Sequence, residues 1–299
     1  MSIVMDKGKD MILFNIFAYL ITGLVAIFAI IPFLMLVVGS VQSEDTIMKF
    51  GYTIIPRELD FTAYQYIFAS PEKILRSYGV TLFITITGTV LSLLFSSMTA
   101  YVLSRKDVKY RNPLAFYLFF TTLFNGGLVP YYLLISNYLQ LRDTLAILVL
   151  SNMFNVIYIF IIRAFIDNSL PDSISESAKI DGANDFVIYW KIVLPLMTPA
   201  LASIGLFISL GYWNDWFTST LFILDEKLFP LQYMLYKMLT FATFAQKILS
   251  ENGAVSAMEV PTETMKLALT VVATGPIILA YPFAQKYFIA GMTIGAVKG

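Results

Sequence analysis

Long runs without a single charged side chain constrain this chain more than any other feature. Met11 to Ser43 carries no charge between Asp10 and Glu44, and Ser77 to Ser104 carries none between Arg76 and Arg105. Further runs lie between Arg111 and Arg142, between Asp143 and Arg163, from Ile192 to Asn214 with a resumption after Asp215, and from Leu267 to Gln285. Each exceeds the roughly 18 residues a helix needs to cross a hydrocarbon core about 30 Å thick. A backbone in lipid must satisfy its own hydrogen bonds, which leaves helices or closed barrels. Barrel strands would alternate over segments of about 10 residues, whereas these runs are continuous. The expected fold class is an all-α polytopic membrane protein with six transmembrane helices, at 12–39, 79–104, 114–136, 144–163, 199–224 and 266–288. They form a domain over 11–290 between short tails at 1–10 and 291–299.

Composition agrees: 58% of the residues are apolar and 13% charged, against about 45–50% and 25% in soluble domains. Twenty basic and twenty acidic residues cancel, so no global field recruits nucleic acid. Cysteine and histidine are absent, which removes disulfides, thiolate chemistry, histidine-ligated metals and histidine-activated nucleophiles. Lys7 and Lys9 precede the first run as in a signal peptide. Ile12 to Gly39 is about twice a normal signal core, however, so an uncleaved helix is expected.

Short loops set the orientation. Lys7 and Lys9 lie in the N-terminal tail, and Arg105, Lys106, Lys109 and Arg111 surround Asp107 in the second loop. Both belong on the cytoplasmic side, so both termini are expected there. Val41 to Arg76, Asn137 to Asp143 and Asp225 to Lys266 then face outward, the last with Asp225, Glu226, Glu251, Glu259 and Glu263.

Asn125-Gly126-Gly127 followed by Pro130 interrupts the third run. It admits two readings: tight helix packing, or a hinge and pathway wall with Asn125 as its polar contact. In the fifth run Trp213 and Trp216 are three apart, and on a continuous helix they share a face. Asp215 is an acid well inside a run, where burial costs roughly 2.5–3.5 kcal/mol at the bilayer centre. Trp213, Asn214, Asp215 and Trp216 read either as a pathway contact for a hydroxyl-rich solute or as an interfacial belt with Asp215 reaching water. Phe229 to Phe241 reads as an outer gate or a surface helix.

The loop 164–198 is the richest segment. Ser173 and Glu176 have the spacing of a capping box after the Pro171 break. Gly182 permits a left-handed turn, and Asp181 or Asn184 can cap a second helix carrying Phe186, Tyr189 and Trp190. Two short helices with an elbow make a docking element. The alternative, an amphipathic helix on lipid, has thin basic content in Lys179 and Lys191.

Glu176, Ser177, Ala178, Asp181, Gly182, Ala183, Ile192, Leu194 and Pro195 stand at the spacing of the EAA loop, which this segment resembles. That loop belongs to the permeases of bacterial ABC importers, and Ser177 replaces its usual second alanine. Tyr101 to Arg105, the Asn125 cluster, Tyr212-Trp213-Asn214, Phe229 to Gln232 and Gly291 to Gly299 look like carbohydrate permeases, more narrowly the maltose-type relatives. The resemblance implies a cytoplasmic coupling helix seated on an ATPase, with Glu176 facing a basic residue there and Gly182 forming the elbow. It implies a permease subunit that imports a carbohydrate, an oligosaccharide in this subgroup, by alternating access across a bacterial cytoplasmic membrane. The implied partners are a second homologous permease, an ABC ATPase dimer and an extracytoplasmic solute-binding protein. No enzyme activity or cofactor of its own is implied, since ATP and magnesium would sit on the ATPase. The chain itself has no phosphate-binding Gly-x-x-x-x-Gly-Lys-Ser/Thr run.

Three rival readings stand beside this one. An ABC permease for a peptide or ion shares the loop. A polytopic enzyme acting on polyprenyl phosphates needs clustered acids for magnesium. A secondary transporter usually carries an internal repeat and more intramembrane ionisable groups.

Overall fold

The computed structural model describes residues 9–251 and 262–278. All regular structure among the described residues is helical, apart from one isolated bridge between Gln42 and Leu59. Residues 71–237 with 276–278 form one compact unit, and 9–70 with 238–251 and 262–275 form another.

In the second of these units the long helix α1, Lys9–Gly39, opens the chain. None of its most apolar stretch is buried, and Leu13, Phe14, Tyr19 and Phe28 are each at least 70% exposed. A helix apolar all round and uncovered by protein matches lipid as its solvent. The short helices α2, Glu44–Phe50, and α3, Thr62–Ile67, follow. Glu44 at the start of α2 serves a distant helix: its carboxylate accepts the Glu263 and Thr264 amides, both at 2.9 Å, and the Thr264 hydroxyl at 3.0 Å. Those residues begin the last described helix, 262–278, whose first amides have no carbonyl of their own turn to bond.

The other unit is built around α4, Pro71–Ser104. This helix starts eight residues before the expected 79, because Pro71 suits a first turn and Glu72 pairs with Arg76 one turn on, at 2.8 Å. After α4 come α5, Arg111–Leu123, α6, Leu128–Tyr138, α7, Leu145–Leu150, and α8, Val156–Ser169. Then follow α9, Asp172–Ile180, α10, Asp185–Leu196, α11, Thr198–Trp213, and α12, Phe217–Phe222. The amphipathic α13 occupies Leu231–Glu251.

Helix α4 lies against α8 and α11. Gly88 is what lets α11 approach, since a Cβ there would overlap the Tyr212 ring. Tyr212 is fully buried and donates its hydroxyl to the Val149 carbonyl at 2.6 Å, closing an acceptor at the end of α7. One core gathers Ala100, Leu103, Ile159, Ile162, Ile188 and Met197, and a second gathers Ile84, Ile147, Leu148, Phe222 and Ile223.

Three of the expected helices are interrupted. The stretch 114–136 is two helices bent by 112° between Leu123 and Leu128. The stretch 144–163 divides into α7 and α8, with Asn155 capping α8 through the Ile157 amide at 3.0 Å. The stretch 199–224 stops at Trp213 and resumes at Phe217. Among the described residues, Met11–Gly39 and Pro71–Ser104 are each long and apolar enough to cross a membrane, and up to four spans result if each bent pair is one. The expected span 266–288 is described only as far as residue 278, and the tail 291–299 lies outside the described residues.

Candidate functional site: an elbow clamped to the central helix

Helix α9 begins right after Pro171, which ends α8's path and caps nothing with its side chain. The capping box expected at Ser173 and Glu176 does not form, because the helix already starts at Asp172. Its other end follows the expectation. The Gly182 amide bonds the Lys179 carbonyl at 3.0 Å, and the Ala183 amide reaches back to the Ala178 carbonyl at 2.9 Å. With Gly182 at φ +83°, this is a Schellman ending that glycine adopts without strain. Asn184, rather than Asp181, caps α10 by accepting the Val187 amide at 2.9 Å. Between Tyr189 and Val193 the helix widens to an i→i+5 turn, just before Pro195 removes a donor. It then bends by 77° into α11 at Met197, which is fully buried.

The elbow presents two faces. Ile188, Tyr189 and Val193 are buried with Ala178, and Tyr189 bonds Ser97 of α4 at 2.7 Å. Ile192 and Leu194 are partly buried against the same core. On the outer face Ile180 is 86% and Phe186 64% exposed, and Glu176, Ser177, Asp181, Gly182 and Pro195 are exposed as well.

In sequence, Arg105, Lys106 and Asp107 mark sidedness, and Arg105 also ends the Tyr101 to Arg105 stretch that resembles carbohydrate permeases. In the structure they grip the elbow. The Arg105 guanidinium chelates Asp107 through Nε, at 2.7 Å, and Nη2, while Nη1 bonds Asp185 at 2.7 Å and the Tyr101 hydroxyl at 2.8 Å. Lys179 of α9 joins Asp107 at 2.7 Å, and Lys106 pairs with Asp172. Arg105 and then Lys179 hold the Asp107 carboxyl well below the usual carboxylate range. The hydrogen bonds it donates to Asp107 above all keep Arg105 above its already high value. The local signals were a mixed-sign cluster immediately after a long apolar run and the Tyr101 to Arg105 stretch, and neither points to Asp185 or Lys179.

The Asn125 cluster is a helix break. Asn125 Oδ1 accepts the Gly127 amide at 2.8 Å, with Gly127 at φ +90°. Within this chain a Cβ on Gly126 would meet nothing within 4 Å, and one on Gly127 would meet Pro130 at 3.8 Å. Asn125, Gly126, Gly127, Pro130 and Tyr131 line an open cavity of about 590 Å³.

Around Asp215 the expectation of a shared tryptophan face fails, because the helix ends between the two rings. Trp213 is buried at 7%, whereas Trp216 is 40% exposed and stacks on Tyr236 at 4.6 Å. Asp215, one residue before the cap position of α12, accepts the first-turn Thr218 amide at 3.0 Å and a bond from Asn152 at 2.8 Å. Asn214 accepts a longer bond from Gln232 at 3.4 Å.

Comparison with known proteins agrees with this architecture. Residues 112–294 match the family described as binding-protein-dependent transport system inner membrane component. The chain is 40% identical over 288 residues to the polygalacturonan/rhamnogalacturonan transport system permease protein YtcP of Bacillus subtilis, covering 95% of this chain and 99% of that one. It is 31% identical over 283 residues to the arabinooligosaccharides transport system permease protein AraQ of Halalkalibacterium halodurans, covering 92% and 93%. A crystal structure of a bacterial ABC transporter involved in the import of the acidic polysaccharide alginate superposes with a TM-score of 0.75 at 30% identity, over 94% of this chain and 98% of that one. This chain belongs to the family of inner membrane components of binding-protein-dependent transport systems.

Proposed function

We propose that the chain is one of two permease subunits of an ATP-driven importer and passes an oligosaccharide by alternating access. The elbow carries this reading: an anchored helix pair exposing Glu176, Ile180 and Phe186 suits an ATPase groove, with Gly182 setting the angle. ATP and magnesium would be held by that ATPase. Residues 12–288 would supply six crossings, counting the broken helices as spans, with both termini in the cytoplasm of a bacterium. A second, homologous permease would complete the pathway, and a binding protein would deliver solute from outside. The carbohydrate assignment draws on the names of the similar proteins and on Trp216 stacked with Tyr236 beside Asn214 and Asp215. An indole face suits sugar C–H groups, and the amide and carboxylate suit hydroxyls. The 124–127 break, with Asn125 and Pro130, would be the hinge of the pathway wall.

The test is ATP-dependent uptake of labelled oligogalacturonides and arabino-oligosaccharides in vesicles holding this chain, its partner permease, the ATPase and the binding protein. Gly182→Pro requires φ near −65° where +83° is needed, and it deletes the amide bonded to Lys179. Uptake lost in this variant, with the protein still inserted, is the expected result. Unchanged uptake refutes coupling through the elbow, and transport of a peptide or ion alone refutes the carbohydrate assignment.

A further inference from the structure

The nine-residue helix α9 is thinly attached: Ala178 is its one buried residue. A cleft of about 190 Å³, lined by Tyr101, Ser104, Asp172, Glu176 and Leu196 among others, separates part of it from its surroundings. Apolar packing therefore does not hold that side of the helix. What bridges it is charge. Arg105 and Asp107 follow α4 directly, Asp172 and Lys179 lie on α9, and Asp185 opens α10. The Arg105 side chain is only 11% exposed, and its planar fork meets partners on two sides, which fixes direction as well as distance.

We infer that Arg105, acting through Asp107 and Asp185, is the positioning residue that locks α9 and its elbow to α4. A push on the exposed face of α9 then moves α4 with it rather than folding the turn at residues 181–184. This rests on the reading that the elbow docks an ATPase. The ion pairs bound a turn centred on Gly182 at φ +83°, the residue type with the widest backbone freedom. Without the clamp, α9 can pivot at Gly182 while α4 stays behind.

The chain has no cysteine, so nitroxide pairs can be placed at will. The experiment labels Lys109→Cys and Ile180→Cys in the complete complex in nanodiscs. The distance is read with and without trapping by ATP and vanadate, which needs no transported solute. The expected result is an unchanged distance on trapping in the otherwise native chain. With Arg105→Ala a trapping-dependent shift of about 2–5 Å is expected, the scale of helix movements in switching proteins. A merely structural loosening would broaden the distance equally with and without nucleotide, and that result overturns the inference. So does a shift on trapping in the native chain, or none in Arg105→Ala. Should Arg105→Ala fail to insert, the isosteric pair Asp107→Asn with Asp185→Asn is expected to give the same shift, and its absence overturns the inference too. Failure of the docking reading shows separately, as a spectrum of the Ile180→Cys label alone that does not change when the ATPase is added.

Discussion

Replacing Glu44 by alanine isolates a cap supplied from a helix more than two hundred residues away in sequence. The carboxylate accepts two backbone amides at 2.9 Å, from Glu263 and Thr264, together with the hydroxyls of Thr264 at 3.0 Å and Thr262 at 3.3 Å. Thr262 and Thr264 are 3% and 2% exposed, so water replaces these bonds poorly. A hydrogen bond to a charged group contributes about 1.5–3 kcal/mol, less where solvent reaches it. Glu44 is half-buried, and the Thr262 hydroxyl keeps a second partner in Gln246 at 2.8 Å. Counting only the two amides at a screened value of about 1–1.5 kcal/mol each gives about 2–3 kcal/mol for Glu44→Ala. Local opening of the first turn of 262–278 should then rise roughly thirty- to a hundred-and-sixtyfold. Hydrogen–deuterium exchange on a peptide covering 262–270 reads this directly, with Glu44→Gln expected between the two because it keeps one acceptor oxygen. Equal protection in Glu44→Ala and the native chain would refute the reasoning, as would a loss spread evenly over every helix.

Two further outcomes are expected. Gly88→Ala drives a methyl into the Tyr212 ring, which has no free end to swing away, so α4 and α11 must separate; the cost is about 1–3 kcal/mol, read as a lower thermal midpoint in detergent. The clamp should also ignore ordinary changes of pH: the Asp107 carboxyl is depressed by Arg105 and then Lys179, so its contribution is complete above the unfolded carboxylate value near 4 and fades only as pH falls through the lower folded value. The distance between nitroxides at Lys109→Cys and Ile180→Cys, measured between about pH 5 and pH 9, should be constant, and a transition inside that window would contradict the assignment.

The membrane character of the chain and the place of its elbow were legible because each rests on local rules. A run such as Met11 to Ser43 has no stable home but lipid, and a glycine followed by Asn184 ends one helix and caps the next. The breaks were less legible. An apolar run looks the same whether one helix or two occupy it; the Asn125-Gly126-Gly127 cluster with Pro130 marked the first interruption, and Asn155 and Asp215 the others. A continuous helix would have put Trp213 and Trp216 on one face, but the helix ends between them. The Arg105 clamp was hidden for another reason. Arg105 meets Asp185 80 residues away and Asp107 meets Lys179 72 residues away, and no periodicity connects charges on separate elements.

The same three side chains bear on how such a protein can bend. Asn125 takes the amide of Gly127, Asn155 that of Ile157, and Asp215 that of Thr218. Each interruption thus carries its own stopper, closing a backbone donor that bare hydrocarbon would penalise by several kcal/mol. A joint sealed in this way can swing without first tearing hydrogen bonds out of a regular helix. Any change of angle at such a joint then costs core packing, not helix hydrogen bonds, like a door whose hinges were fitted before it was hung.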